Sequence, residues 1–295
     1  MPVVSQFEYV KPESEKETIE ILSRSKNAVI LSGGTDLVGA IKEGTIIPDI
    51  VVDIKGLNVL KQISLEKSKL WIGALTTLSD MLESEILKEH FPVMCEVAKK
   101  VASVGIRNRA TMVGNICSAV PCMDSGPLLA AYDAVIVVAG SEGERYIPAS
   151  DWFVGSRKTS LKQGEFVKGI SIDVPPGKHA GCFVKLGRYS GEDLAQVNLV
   201  ILALDDGTFR ISYGAVAPVP VRAKKIEALL AGRPIDAEII SQAVSLIADA
   251  ISPISDIRAS KEYRSHMAEV MFKRGLHAAL GRLNGTGPAY GTDVI

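Results

Sequence analysis

The chain has 295 residues, of which 47% are hydrophobic and 23% are charged, and its formal net charge at pH 7 is −1. This composition is typical of a soluble globular protein with two or three domains. The nearly balanced charge gives no reason to expect nucleic acid or an anionic membrane surface as a partner. No apolar run approaches the length of a membrane span, and residues 1–5 show no signal-peptide pattern, so we expect a cytoplasmic protein.

Cysteine usage argues against a covalent or metal framework. The four cysteines form no C-x-x-C pair, and no set of cysteines and histidines has the spacing of a zinc site. We therefore expect neither a disulfide framework nor a zinc site, and interpret the cysteines as small buried hydrophobic residues.

The N-terminal segment predicts a small βαβ-like unit. A helix begins after Pro12 and covers residues 13–25, and the apolar runs 29–31 and 50–54 are typical of buried strands. After the first strand the residues become small and hydroxylated over 32–36, and a helix-like apolar period then resumes.

The stretch Ser32-Gly33-Gly34-Thr35 has the composition of an anion-binding turn. Adjacent glycines carry no Cβ atom to keep a ligand away from the backbone, and they allow positive φ. Several amide groups can then point at one phosphate, and Ser32 and Thr35 add hydroxyls. An ordinary strand–turn–helix connection explains the same residues equally well.

A second unit begins near residue 57. Its predicted elements are a hairpin over 62–65 and 69–72, helices over 77–87, 92–103 and 128–132, and strands over 134–138 and 166–174. Residues 106–119 show no periodicity and are rich in small and hydrogen-bonding residues, which indicates irregular backbone. Pro175-Pro176-Gly177 is typical of a linker.

The C-terminal part changes character. We predict three antiparallel strands followed by helices, with strands at 182–186, 197–204 and 209–217 and helices at 221–230, 236–251 and 261–283. Residues 285–295 are rich in glycine and proline, and we expect a flexible tail there.

The chain thus has two polar, glycine-bearing loops, at residues 32–36 and 106–119. Neither loop has a G-x-G-x-x-G pattern or a Walker lysine. Together they resemble the FAD-binding medium subunit of molybdenum hydroxylases, the family of xanthine, nicotinate and carbon monoxide dehydrogenases. The family's A-G-G-T-D-L loop corresponds to Ser32–Leu37, and its I-R-N-x-G-T-I-G-G-N segment corresponds to Ile106–Asn115. An acidic turn is matched by Asp124 and a K-L-x-R-R segment by Lys185–Tyr189, in the family's order and spacing.

The resemblance implies an α+β fold with two parts. A two-lobed FAD-binding domain of the PCMH/VAO type would cover residues 1–176, with lobes at about 1–56 and 57–176. A smaller C-terminal flavoprotein domain of three antiparallel strands and a helical bundle would cover 178–284, followed by the tail at 285–295.

The resemblance also implies FAD-binding residues, one position at a time. The pyrophosphate would be wrapped by Ile30, Leu31, Ser32, Gly33, Gly34, Thr35, Asp36 and Leu37. The second loop comprises Ala110, Thr111, Met112, Val113 and Gly114, with Asn115 beside it either serving the flavin or bracing the loop. Ala102 and Val167 match backbone contacts, and Asp124 matches an acid near the ribityl and adenosine hydroxyls. Lys185 matches a lysine at the pyrimidine edge of the flavin, where a cation stabilises negative charge on the reduced ring.

Five positions keep alternatives open. Asp36 either contacts the ligand or complements a helix dipole. Val113 stands where the family has a glycine, so its φ is negative or the loop is reshaped, because a β-branched residue does not easily take positive φ. Tyr189 replaces an arginine and either covers the isoalloxazine ring or caps the small domain. Arg107, like Arg109, either binds phosphate, or holds the subunit's own loops or faces a partner.

The implied function is that of an FAD-dependent oxidoreductase subunit that is catalytic only within a complex. A large molybdopterin subunit would hydroxylate the substrate, and a small subunit with [2Fe-2S] clusters would relay electrons. This chain would pass them from FAD to NAD⁺ or another acceptor, with no metal and no catalytic side chain of its own. The alternatives are a stand-alone FAD oxidoreductase that resembles enolpyruvyl-sugar reductases, and a flavin-free assembly module, which Val113 alone favours.

Overall fold

The structure, a computed structural model, describes residues 6–189 and 191–295. Residues 1–5, in which we find no signal-peptide pattern, lie outside this range. The strands are β1 (Glu8–Val10), β2 (Ala28–Leu31), β3 (Ile50–Asp53), β4 (Ile63–Glu66), β5 (Lys69–Gly73), β6 (Val135–Gly140), β7 (Gly143–Pro148), β8 (Phe153–Gly155), β9 (Lys158–Thr159), β10 (Phe166–Asp173), β11 (His179–Leu186), β12 (Val197–Leu204), β13 (Phe209–Gly214) and β14 (Val221–Arg222).

The helices are mostly short, with one long helix near the end of the chain. They are α1 (Glu15–Arg24), α2 (Leu37–Lys42), α3 (Leu78–Glu83), α4 (Glu85–His90), α5 (Pro92–Lys100), α6 (Val104–Arg107), α7 (Met112–Ser118), α8 (Ser125–Ala131), α9 (Ala149–Trp152), α10 (Lys224–Leu230), α11 (Ala237–Ser245), α12 (Ile247–Ala250) and α13 (Lys261–Leu283). Among the described residues, no helix is long and apolar enough to cross a membrane.

The first sheet is parallel and has the order β1-β3-β2. The predicted βαβ-like unit is confirmed, because β2 and β3 are parallel with α2 between them. β1 was not predicted, and it adds to the far side of β3. Ser14 is the N-cap residue of α1, and its side chain accepts a hydrogen bond from the amide of Glu17. The helix buries the side chains of Ile21 and Leu22.

The second sheet is antiparallel and has the order β4-β5-β10-β6-β7. Its two hairpins, β4–β5 and β6–β7, are joined through β10, which pairs with both β5 and β6. The side chains of Leu70, Ile72, Ile136 and Ile170 are fully buried, in one core with residues of α3, α5, α7 and α8. This core supports the segment between α5 and α8, which carries the second loop.

The third sheet has the order β11-β12-β13-β14 and is antiparallel throughout. All eight residues of β12 are buried, because α13 packs on one side of the sheet and α5 and α8 on the other. The predicted three antiparallel strands are present. The two-residue strand β14 adds a fourth, and it occupies the start of the predicted helix 221–230.

Several helix boundaries differ from the predictions. The predicted helix 77–87 is two helices, because Ser84 ends α3 and its hydroxyl accepts a hydrogen bond from the amide of Leu87 at the start of α4. The predicted helix 236–251 is likewise divided into α11 and α12.

The C-terminal segment also differs from the flexible tail that its glycines and prolines predict. Residues 285–295 lie against α13 and α5, and their backbone groups contact the buried side chains of Glu96 and Arg282. The physical reason is that these contacts use backbone carbonyl groups, which every residue supplies, and one backbone N–H group, which every residue except proline supplies.

Candidate functional site

The two glycine-bearing loops face each other with their backbones in contact. A Cβ atom on Gly33 would lie 2.0 Å from the carbonyl oxygen of Arg109 and 3.0 Å from the Cα of Ala110. No other residue type fits this approach. Gly34 has φ +76°, a conformation that favours glycine. We call the two loops, residues 30–37 and 110–115, the clamp.

The first loop presents backbone amides that find no acceptor among the described residues. The amides of Gly33, Gly34, Thr35 and Asp36 make no hydrogen bond there, and neither do the hydroxyls of Ser32 and Thr35. Ile30 and Leu31 belong to β2, and Leu37 is the first residue of α2. Free amide and hydroxyl donors that follow one another along a turn can bind an anionic group such as pyrophosphate.

The second loop leads into a helix, which corrects the prediction of irregular backbone over 106–119. Thr111 caps α7, its hydroxyl accepting a hydrogen bond from the amide of Gly114 at 2.9 Å. Gly114 also lies close to the first loop, because a Cβ atom there would be 3.5 Å from the Ser32 hydroxyl oxygen and 3.0 Å from that of Thr111. The hydroxyls of both loops thus converge on one glycine.

Met112 and Val113 occupy the first turn of α7 and are buried. Val113 is therefore helical and its φ is negative, since it is absent from the residues with positive φ. Of the two readings of this substitution, negative φ is the one that the structure shows, and a β-branched residue is compatible with it.

Asp36 connects the two loops. Its carboxylate accepts a hydrogen bond from the hydroxyl of Ser118, at the end of α7, at 2.6 Å, and it makes no cap bond to α2. The carbonyl oxygen of Gly114 lies 3.1 Å from the same hydroxyl oxygen and is the second acceptor within reach of its single hydrogen. The side chain of Asp36 therefore joins the first loop to the second, a role that the sequence did not suggest.

Ala102 lies in a strained conformation, with φ +41°. The guanidinium of Arg107 holds this turn by donating to the carbonyl oxygens of Val101 at 2.9 Å and Ala102 at 2.6 Å. Arg107 thus holds the subunit's own loops, one of the roles left open for it.

Asp124 and Lys185 form a buried ion pair, with 2.6 Å between the carboxylate and the ammonium and side-chain exposures of 6% for Asp124 and 8% for Lys185. Lys185 also donates to the carbonyl oxygen of Lys100 at 3.0 Å. The other oxygen of Asp124 accepts from the amide side chain of Asn198 at 2.7 Å. Burial raises the pKa of Asp124, and Lys185 and Asn198 oppose that shift.

Three predicted positions remain, namely Asn115, Val167 and Tyr189. The side-chain oxygen of Asn115 accepts a hydrogen bond from the amide of Ser125 at 3.3 Å, which braces α7 against α8. Val167 is buried in β10, next to an irregularity in the pairing with β6. Tyr189 is 58% exposed, and its hydroxyl donates to the carbonyl oxygen of Glu192.

Three contributors were missed by sequence reasoning: Ser118, Lys100 and Asn198. Ser118 and Lys100 act through a hydroxyl and a backbone carbonyl far along the chain from their partners. Asn198 is a fully buried amide, the second residue of an otherwise apolar strand. A polar residue inside such a run is the one signal that could have found it, because buried polar groups need partners.

The described residues fit FAD on structural grounds. The contact at Gly33 brings the free amides of the first loop beside the start of α7, so donors can converge on a pyrophosphate from two sides. Asp124 and Lys185 are already fixed by neighbours, and such preorganised charges stabilise charge on a bound group without reorganisation.

Comparison with known proteins agrees with this site. The sequence profile of the FAD binding domain in molybdopterin dehydrogenase matches residues 5–175, and that of the CO dehydrogenase flavoprotein C-terminal domain matches residues 182–279. The glyceraldehyde dehydrogenase medium chain of Sulfolobus acidocaldarius is 31% identical, over 90% of this chain and 95% of its own. A putative xanthine dehydrogenase FAD-binding subunit of Escherichia coli is 30% identical, over 91% and 94% of the two chains.

A solved structure shows the same fold. Carbon monoxide dehydrogenase from Hydrogenophaga pseudoflava superposes with a TM-score of 0.90 at 32% identity, and the match covers 94% of this chain and 98% of that chain. The predicted α+β fold, the oxidoreductase class and FAD as the cofactor are confirmed by these matches. The chain belongs to the family of FAD-binding subunits of molybdopterin dehydrogenases.

Proposed function

We propose that this chain carries FAD as the electron-transfer subunit of a heteromeric molybdenum hydroxylase. Its partners would be a large molybdopterin subunit and a small subunit with [2Fe-2S] clusters. Electrons from those clusters would reach FAD here and leave to NAD⁺ or another acceptor. The proposal is supported by the relatives, which are named as medium chains or FAD-binding subunits of dehydrogenases.

The observation that carries the proposal is the contact between Gly33 and Arg109. It places the two halves of the clamp together, in the chain that matches the FAD-binding profile. We assign Ser32–Leu37 and Ala110–Gly114 to the pyrophosphate, with Ile30 and Leu31 forming the strand behind it. We also propose the FAD-binding domain at 1–176 and the C-terminal domain at 178–284.

The buried pair would serve the rest of the cofactor. We assign Asp124 to the sugar hydroxyls and Lys185 to the pyrimidine edge of the flavin, with backbone contacts from Ala102 and Val167 and a bracing contact from Asn115. When bound, FAD supplies the redox chemistry, since it can take electrons singly and release them as a pair. Lys185 is held by Asp124 and by the Lys100 carbonyl, so its charge needs no movement to act on the ring.

The electron acceptor depends on access to the flavin. Tyr189 is an exposed aromatic residue at the end of the segment that carries Lys185, so its ring is free to lie over a cofactor bound beside that lysine. We propose that it restricts access of a nicotinamide to one face. Thr35 and Asp36 match the loop of the xanthine and nicotinate dehydrogenase groups, which favours NAD⁺.

Two measurements on the purified chain and on the assembled complex test the proposal. The chain should be yellow and release FAD on denaturation, and the complex should reduce an acceptor with electrons from its substrate. Substitution Tyr189→Ala should raise the rate with NAD⁺ relative to the rate with a small dye acceptor. A chain that oxidises NADPH on a sugar substrate without partners would instead establish the stand-alone oxidoreductase.

A flavin-free assembly module is the other alternative. Its single supporting feature was Val113, and that residue is a helical residue in α7. FAD content decides between the two, because a colourless chain that cannot be reconstituted with FAD would establish the module.

A further inference from the structure

Strand β11 and helix α5 lie side by side with matched spacing. Glu96 and Lys100 are four residues apart, about 6 Å along a helix. Phe183 and Lys185 are two residues apart, about 6.7 Å along a strand. A carboxylate oxygen of Glu96 accepts the amide hydrogen of Phe183 at 2.8 Å, and the carbonyl oxygen of Lys100 accepts from the Lys185 ammonium at 3.0 Å. The two contacts therefore join β11 to α5 at two matched positions.

The first of these contacts, between Glu96 and the amide of Phe183, depends on a buried ion pair. Glu96 and Arg282 have side-chain exposures of 2% and 3%, and two guanidinium nitrogens donate to the two carboxylate oxygens at 3.1 and 2.9 Å. Arg282 also donates to the carbonyl oxygen of Gly181 at 2.8 Å, two residues before Phe183. A buried ion pair keeps its geometry only when its remaining donors and acceptors are satisfied.

The C-terminal segment supplies partners for the remaining donors and acceptors of this ion pair. We call residues 285–295 the C-terminal clasp. Arg282 donates to the carbonyl oxygens of Pro288 at 2.9 Å and Ala289 at 3.1 Å, and the amide of Gly291 donates to Glu96 at 2.9 Å. The ring of Tyr290 lies 4.2 Å from the guanidinium carbon, and its hydroxyl accepts from the amide of Gly181 at 3.2 Å.

We propose that the C-terminal clasp fixes the register of β11 on α5 and thereby sets the position of Lys185 in the flavin site. The clasp acts at a distance, through Glu96 and Arg282, and its positioning residues are Pro288, Ala289, Tyr290 and Gly291. The part of the proposal that concerns the flavin depends on the proposed function, since that function assigns Lys185 to the ring.

The test compares four variants of the full chain: one ending at Gly287, the milder Tyr290→Phe, Lys185→Met as a reference, and Asp293→Asn as a matched control. Asp293 lies in the clasp, and its only side-chain contact among the described residues is an exposed ion pair with Lys100, which contributes little. Hydrogen exchange at the amide of Phe183 is measured in the chain without FAD. The reduction equilibrium of bound FAD is measured in the loaded chain.

Without the clasp, exchange at Phe183 should be at least about tenfold faster, because its acceptor Glu96 loses the amide of Gly291 and the Arg282 that holds Glu96 loses two carbonyl acceptors. The flavin equilibrium should shift toward the oxidised form, in the same direction as for Lys185→Met. A unit charge that moves from about 4 to about 5 Å at an effective dielectric constant of about 20 produces a shift of about fourfold. Tyr290→Phe should produce a smaller change in both readouts, and Asp293→Asn should produce none.

Unchanged exchange at Phe183 in both clasp variants would overturn the proposal. So would faster exchange without a flavin shift, provided that Lys185→Met does shift the equilibrium. If Lys185→Met has no effect, the assignment of Lys185 to the flavin fails. Hydrogen exchange at the amide of Phe183 then tests, independently of the flavin, whether the clasp fixes the register of β11 on α5. If the shortened chain does not fold, Tyr290→Phe decides the outcome.

Discussion

Gly33 and Arg109 lie 76 positions apart in the sequence, yet their backbones touch: a Cβ atom on Gly33 would be 2.0 Å from the carbonyl oxygen of Arg109. Such an approach requires glycine, because a carbonyl in the backbone cannot swing aside as the end of a flexible side chain can. The contact makes one site of two loops that are each unremarkable alone.

Replacing Gly33 by alanine should separate the two loops. We expect FAD affinity to fall at least about tenfold, since overpacking of this kind forces the backbone to move. The matched control is Gly39→Ala on α2, where a Cβ atom would meet nothing within 4 Å. That change should keep FAD binding and stabilise the chain by about 0.5–1 kcal/mol. Titration of the FAD-free protein with FAD gives both affinities, and equal affinities would remove the clamp from the account.

A double-mutant cycle on Asp36 and Ser118 should distinguish a bridge from a ligand contact. If Asp36 acts by joining the loops, Asp36→Ala and Ser118→Ala should each weaken FAD binding, and the double variant should be no worse than the poorer single variant. We expect a coupling energy of about 1 kcal/mol, the net value of such a hydrogen bond. If only Asp36→Ala weakens binding, the carboxylate acts on the cofactor directly.

The buried pair of Asp124 and Lys185 should show strong coupling in stability. Asp124→Ala leaves the Lys185 ammonium buried without its counter-ion, and we expect a loss of about 3–5 kcal/mol in the free energy of unfolding. The double variant Asp124→Ala, Lys185→Met should recover part of that loss. Urea denaturation of the FAD-free chain measures the cycle, and additive losses would show that the two side chains do not interact.

The pH dependence of stability should report on Asp256. Burial alone would raise the pKa of its carboxyl, but hydrogen bonds from Arg258 and Arg264 outweigh burial and hold that pKa well below its usual range. An acid with a lowered folded-state pKa contributes stability above its unfolded pKa of about 3.9, and the contribution is lost as the pH falls.

Asp256→Asn should therefore destabilise the chain at pH 7, by about 1–3 kcal/mol. The difference from the unmodified chain should shrink as the pH falls below about 4, where the carboxyl of the unfolded chain becomes protonated. Urea denaturation at a series of pH values between 7 and 2.5 measures that difference. A difference that stays constant over the range would contradict the assignment.

The sequence was most informative where backbone geometry needs particular residues. The glycines of the first loop indicated a turn before a helix, and α2 follows that turn. The second loop was predicted as irregular backbone, whereas Thr111 caps the short helix α7 there. The bridge from Asp36 could not be predicted, because its partner Ser118 is 82 residues away and a serine is compatible with many roles.

Residues 106–119 show why periodicity alone fails for short helices. α6 and α7 have four and seven residues, so an apolar period cannot repeat often enough to be visible. Capping by Ser103 and Thr111 and burial of Met112 and Ile116 stabilise these helices instead, and the packing depends on the sheet beneath.

The end of the chain was mispredicted for a related reason. Glycine and proline make a segment poor in side chains, but the backbone of 288–291 supplies two carbonyls and one amide to a buried ion pair. Arg282 and Glu96 are 186 residues apart, and no local pattern could join them.

The most direct test of the central claim is the structure of the chain loaded with FAD. We expect the pyrophosphate to lie between residues 32–37 and 110–114, within hydrogen-bond distance of the amides of Gly33 and Gly34, and the flavin ring to reach Lys185. A pyrophosphate bound elsewhere, with those amides still free, would contradict the account.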